Sequence, residues 1–338
     1  MLQLRPDDVA TFLEQRVGEP PRDLEPLVGG AWSSAWGWRN GDEELVVRFG
    51  HDRGWYETER MAVAFDGPDL PVPAVKEVGT TPTGLAYAIT VRHRGRVLED
   101  APVAQADVVA PTLTRLLVAL SQVPGPPSTP VMWHPAGTPA PSWRELILSG
   151  LADHPADRVQ GWRAALNADR RYAALAAAVS NRVRTLIEAC PGRRDLVHGD
   201  LLHGNVLLST DLRRVEAVFS WKCSLPTCDF LYDAAWCSVW GPVFYPGIAA
   251  VDPLSGLLHD PSLRRDESAL ADAVARHHCY ELQIALTHLG WNLSVWHPTH
   301  VAATAALLTE LLERGPRDVP AAPIAAADDV AKQRVTSL

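Results

Sequence analysis

The chain has 338 residues, a formal net charge of −9, 47% hydrophobic and 21% charged residues. That length accommodates two lobes with sizeable cores, and the composition is ordinary for a globular protein. The acidic balance argues against a general nucleic-acid binder. No run approaches the roughly eighteen apolar residues of a membrane span, and MLQLRPDDVATFLEQ lacks a basic region followed by an apolar core. The expectation is a cytoplasmic protein with neither nucleic acid nor membrane as partner. Its five cysteines form no CxxC pair, as in a reduced protein without structural zinc.

In chain order, PDDVATFLEQRV (6–17) reads as a short helix, with acidic residues in its first turn and Val9, Phe12, Leu13 and Val17 on one face. Strand-like runs follow around Leu24–Val28, Ser34–Arg39 and Glu44–Phe49, with Gly29-Gly30 and Asn40-Gly41 as turns. Tyr56–Phe65 reads as a helix, and strands near Val75–Val78 and Ala86–Arg92 complete a small lobe. After Arg94-Gly95 the pattern is helical. Leu113, Leu116, Leu117 and Leu120 recur at helical spacing within Asp107–Gln122, where Asp107 is the expected cap. Val123–Ser142 is proline-rich and reads as a surface connection. One or two helices fill Arg158–Cys190, and further helices are expected over Ser268–Trp291 and Thr299–Arg314, before a loosely held tail from Gly315.

The densest chemistry lies in LVHGDLLHGNVLL (Leu196–Leu208). An H-x-D-x-x-x-x-N spacing serves phosphoryl transfer. The aspartate accepts a proton from an attacking hydroxyl, and the asparagine carbonyl holds magnesium on the nucleotide phosphates. His198 would brace the loop, Asp200 would be the base and Asn205 a metal ligand. The loop is followed by an apolar strand, Val206–Leu208, a polar turn and a second strand, Val215–Phe219, which is the hairpin such a loop is mounted on.

HGDLLHGNVLL followed by an apolar strand and a tryptophan resembles the aminoglycoside phosphotransferase family, and among its branches is most similar to the hygromycin B phosphotransferases. The likeness extends to ELVVRFG, the helix after Trp55-Tyr56, LPVPAVKEVG and LAYAITVRHRGRVLED, covering most of residues 25–240. It implies an α+β, bilobal protein-kinase-like fold. A small antiparallel-sheet N-lobe would span 1–93, and a mostly helical C-lobe with the catalytic loop and substrate-binding helices 94–338. It implies that Arg48 lies over the α- and β-phosphates, with Glu57 or Glu59 as its acidic partner. Gly29, Gly30, Ser33 and Ser34 would form the turn over the phosphates. Thr90–His93, including Arg92, would be the hinge that meets adenine. Asp233 would support the catalytic loop from the next helix.

The departure is at Ser220. The family pattern places an aspartate before the tryptophan after this strand, and here the segment reads Phe219-Ser220-Trp221-Lys222. A neutral hydroxyl is a poor substitute for a carboxylate at a magnesium site, and Lys222 adds positive charge. Asp229, after a short loop, is the substitute ligand that could swing in.

Two functional expectations follow. One is an ATP- and Mg2+-dependent O-phosphotransferase acting on a small hydroxylated molecule such as an aminoglycoside-type antibiotic. The other is a repurposed kinase fold of a natural-product pathway that needs neither cofactor. It would act on a small molecule or peptide by metal-independent acid–base chemistry, or serve as the partner of another enzyme. The tryptophans Trp32, Trp36, Trp38, Trp236, Trp240, Trp291 and Trp296 read either as core or as lining for a large, partly apolar substrate. His277, His278, His297 and His300 read as structural or exposed.

Overall fold

The computed structural model describes residues 2, 4–27, 33–123, 140–153, 159–221, 228–294 and 298–317. Helix α1 (Pro6–Val17) starts with proline in its first turn and ends at Gly18, whose φ of 83° suits a residue without Cβ. Strands β1 (Arg22–Leu27), β2 (Ser34–Asn40) and β3 (Glu43–Gly50) follow, then α2 (Arg53–Ala62), β4 (Val75–Thr80) and β5 (Ala86–Val91). They form one antiparallel sheet in the order β1-β2-β3-β5-β4.

The period of two along β3 decides what the small lobe can do. Leu45, Val47 and Phe49 point to one face, where they pack with Trp38, Tyr87 and Ile89 against Val9 and Leu13 of α1. Val46, Arg48 and Gly50 point to the other face and line a cleft. Trp36 and Trp38 are 5% and 1% exposed and belong to the core, so the first of the two tryptophan readings holds for them.

After β6 (Arg96–Val97) the chain becomes helical, with α3 (Ala106–Ser121), α4 (Trp143–Ser149), α5 (Trp162–Ala168) and α6 (Arg170–Leu186). The hairpin β7 (Val206–Leu208) and β8 (Val215–Val218) follows the loop expected to be catalytic, and β6 pairs with β7. Helices α7 (Leu231–Phe244), α8 (Pro246–Ala249), α9 (Pro253–His259), α10 (Glu267–Leu270), α11 (Ala273–Ser294) and α12 (Pro298–Arg314) complete the lobe. Helix α11 packs against α5, α6, α7 and α12, so it runs through the centre of the core.

Three expectations are corrected. Asp107 does not cap α3; the cap position is Gln105, without a side-chain bond, and Asp107 sits inside the first turn. Ser268–Trp291 is two helices, broken at Ala271-Asp272, where Asp272 adopts φ 52°. The stretch Val103–Ser121 is long and apolar enough by composition to cross a membrane, yet Leu113, Leu116, Leu117 and Leu120 are buried in the large core. Most of Val123–Ser142 and of the tail, with Gly29, Gly30, Trp32, Lys222, Trp296 and His297, lies outside the described residues.

Candidate active site

The cleft between the sheet and the helical lobe holds a cavity of about 1020 Å³. Arg48 projects into it from β3 and forms a two-pronged ion pair with Glu59 of α2, with Nη1 2.6 Å from Oε1 and Nη2 on Oε2. Both residues are buried. Planar guanidinium and carboxylate match in a fork, which fixes the angle between strand and helix. Glu57 pairs instead with Arg53 and Arg60 on the outer side of α2. Glu59 is therefore the partner that sequence left open.

The catalytic loop is braced from three directions. Its buried Leu196, Val197, Leu201 and Leu202 anchor it in the core. Asp233, in the first turn of α7, accepts the backbone N–H groups of His198 at 2.7 Å and Gly199 at 2.8 Å. Burial pushes the Asp233 carboxyl up to about 7 despite those two donors. His198 accepts the Asp200 N–H at Nδ1, 3.1 Å, so its proton belongs on Nε2, which faces the Phe219 carbonyl at 3.0 Å. Its ring packs against Trp221 with centroids 4.7 Å apart. His198 and Asp233 thus both hydrogen-bond to the backbone of the loop or of the strand end beside it.

Asn205 donates from Nδ2 to the Asp200 carbonyl at 2.7 Å, which turns its amide oxygen the other way. Asp200 lines the cleft and meets Nδ1 of His203 at 2.7 Å. His203 adopts φ 66° and lies edge-on to Trp240, with centroids 4.4 Å apart. Glu99 accepts the Gly204 N–H, and burial raises its carboxyl above the ordinary range. Neither His203 nor Glu99 was singled out in the sequence. The signal for His203 was its place three residues after Asp200; nothing local marks Glu99, which arrives from β6 and the turn after it.

Ser220 ends the segment after β8 with φ 66°. Its N–H donates to Glu59 Oε1 at 2.6 Å, and Arg48 Nη1 reaches its hydroxyl at 3.5 Å. Trp221 is fully buried, and its Nε1 donates to the Val218 carbonyl at 3.2 Å, so the register is firmly anchored. Asp229, expected as a substitute ligand, is not free to swing into the cleft. Asp229 is wholly buried, takes Nε and Nη2 of Arg276 at 2.8 and 2.7 Å, and accepts the Tyr280 hydroxyl at 2.8 Å. Extracting it would strand a buried arginine, so it is no magnesium ligand.

The remaining sequence candidates divide. Thr90 is buried in β5 and lines the cavity, as do Ser33, Arg92 and His93. The Arg92 guanidinium is engaged by Glu25 at 2.6 Å, and the N–H groups of Val91 and Arg92 donate to the Ala74 and Glu44 carbonyls. Ser34 accepts the Trp36 indole N–H at 2.9 Å. Trp162, Trp236, Trp240 and Trp291 line the cleft, while His277 and His278 are buried beside Glu281.

Among the described residues no three His, Cys, Asp or Glu side chains gather as a metal cluster. The residues present fit magnesium at one position, the Asn205 amide oxygen. At the second they offer a neutral hydroxyl where the ion prefers a carboxylate.

A five-stranded antiparallel sheet on a helical lobe, with an Arg–Glu pair facing an Asp–Asn loop across a cleft, defines a protein-kinase-like fold. The chain belongs to the phosphotransferase enzyme family, whose profile matches residues 23–254. It is 28% identical over 251 residues to hygromycin-B 4-O-kinase of Escherichia coli, covering 70% of this chain and 69% of that one. Among solved structures, aminoglycoside phosphotransferase APH(4)-Ia in ternary complex with AMP-PNP and hygromycin B superposes with a TM-score of 0.72 at 23% identity, over 90% of this chain and 98% of that one. The GDP complex of aminoglycoside 2'-phosphotransferase-IIIa gives 0.58 at 13% identity, over 92% and 99%.

Proposed function

We propose that the protein is an ATP-dependent O-phosphotransferase for a small hydroxylated molecule of antibiotic type, with Asp200 as the base. The observation that carries this reading is the buried Arg48–Glu59 pair facing Asp200 and Asn205 across one cleft. Phosphoryl transfer depends mostly on positioning and charge neutralisation. Arg48 supplies a fixed positive charge from the sheet side. The Val91 and Arg92 N–H groups are already engaged, so adenine is met by His93 and the hinge carbonyls. An acceptor hydroxyl at Asp200 is oriented and gives up its proton there as the new O–P bond forms and the bond from the γ-phosphorus to the β–γ bridging oxygen breaks, with ADP as the leaving group. Magnesium, held by Asn205 and the nucleotide phosphates, would neutralise charge on those phosphates. Incubation with ATP, magnesium and a panel of hydroxylated antibiotics should release ADP only with a true acceptor. No ADP with any acceptor, and none gained in Ser220→Asp, sinks the reading.

Ser220 itself favours a second reading. A chain with one magnesium ligand in place of two suits a repurposed kinase fold of a natural-product pathway. Asp200 would then serve metal-independent proton transfer in an elimination or cyclisation, or the cleft would hold a ligand for a partner enzyme. Calorimetric titration with ATP, with and without magnesium, separates the two. Tight, magnesium-dependent binding supports the phosphotransferase; binding indifferent to magnesium supports the second.

A further inference from the structure

The acceptor half of the cleft is walled by α5, α7 and α11. Four indoles, those of Trp162, Trp236, Trp240 and Trp291, line it, and no Asp or Glu does so from these three helices. The polar groups on this wall are turned to one another. Gln283 accepts the Tyr232 hydroxyl at 3.2 Å and donates to Thr287 at 3.2 Å. The Thr287 hydroxyl donates to the Gln283 carbonyl at 3.0 Å, and the Asn292 amide nitrogen to Thr304 at 3.0 Å. Burial holds His288, tilted against Trp240 with ring centroids 4.1 Å apart, well below the usual histidine range and so neutral. The indole nitrogens of Trp236, Trp240 and Trp291 are buried donors with no hydrogen-bond partner in the protein.

Among the described residues that line the cavity, the carboxylates are Glu59, paired with Arg48, and three on the rim opposite the indoles. Asp200 is met by His203, and Glu99 by the Gly204 N–H. Asp100 stands exposed at the mouth.

We propose that this half of the cleft takes a hydroxylated molecule with a flat apolar body, uncharged where it lies on the indole wall, and not a polyammonium aminosugar. Indole faces gain from burying apolar surface. One ammonium can rest on an indole face. Each further one on this wall would lose its water with no carboxylate to meet it, which is costly. The acceptor's hydroxyl would then reach Asp200 from the wall side. The inference rests on the phosphotransferase reading for the identity of the acceptor half, but its test is one of binding.

The test is calorimetric titration of the full chain with uncharged flavonols, aryl glycosides and macrocyclic lactones, set against hygromycin B. At least one uncharged compound should bind about tenfold more tightly than hygromycin B. Trp291→Ala, at a half-buried position, should weaken that compound about tenfold, the scale of one lost aromatic contact. Trp291→Glu should shift preference toward hygromycin B. Thermal melting of both variants confirms that they fold. The proposal is overturned if hygromycin B binds as tightly as every uncharged compound, if no uncharged compound binds, or if Trp291→Ala leaves the binding unchanged. ADP release is measured alongside. Binding without ADP overturns phosphoryl transfer and leaves the ligand class standing; ADP release with hygromycin B alone does the reverse.

Discussion

The catalytic loop and the strand end at Ser220 share one wall of the cleft, and they differ in what has been kept. In the loop both geometry and chemistry are present: Asp200 and Asn205 stand on a backbone held by Asp233 and His198. At Ser220 the backbone is held as firmly, and the side chain is a hydroxyl where the proposed phosphotransferase reading would place a carboxylate. Its N–H is held by Glu59, its neighbour Trp221 is locked in the core, and its φ of 66° lies in the left-handed region that aspartate tolerates. On the proposed phosphotransferase reading the shortfall is therefore one side chain on a backbone that is firmly held.

The largest expected effect lies in the loop. Asp200→Asn keeps shape and removes the base, so acceptor-dependent ADP release should fall by about 10²–10⁴-fold while ATP binding persists. If the rate holds, Asp200 is not the base. Next is the buried Arg276–Asp229 pair. Asp229→Asn leaves an arginine unpaired in the core and should cost about 3–5 kcal/mol by chemical denaturation, with no change in magnesium requirement. A changed magnesium requirement in a folded variant would return Asp229 to the metal site.

A smaller effect comes from pH. The native Asp233 carboxyl, at about 7, holds a proton that the unfolded chain releases near pH 4. The unfolded state then binds fewer protons between those values, so this group's stabilisation is full below about pH 4 and is lost as pH rises to about 7, by about 1.4 kcal/mol per unit. Denaturation midpoints at pH 5, 6, 7 and 8 should show that slope in the native protein and a flatter one in Asp233→Asn. The smallest effect belongs to the exposed Arg16–Glu77 pair between α1 and β4, far from either region. Arg16→Ala should leave the denaturation midpoint within the scatter of repeat measurements and turnover intact.

Local patterns were legible wherever the physics is local. The period of two in ELVVRFG gave β3 and put Arg48 opposite the Val47 face, and the spacing of Asp200 and Asn205 gave the loop. The helix that carries Asp233 was implied by the family resemblance alone, because α7 is apolar on all sides, with Pro242 inside it, and so shows no helical stripe. Choosing Glu59 over Glu57 needed the angle of α2 on the sheet. Rejecting Asp229 as a ligand needed Arg276, 47 positions away. The contact of Glu99 with the catalytic loop spans 105 positions, and no window of sequence contains both.

The most direct test is the magnesium dependence of ATP turnover in the native protein and in Ser220→Asp, measured as ADP released with a competent acceptor. The account predicts slow, magnesium-dependent turnover in the native protein. It also predicts a gain of at least about tenfold in Ser220→Asp, with saturation at lower magnesium, because the restored carboxylate completes the ligand set. Equal rates and equal magnesium requirements in the two proteins would contradict it.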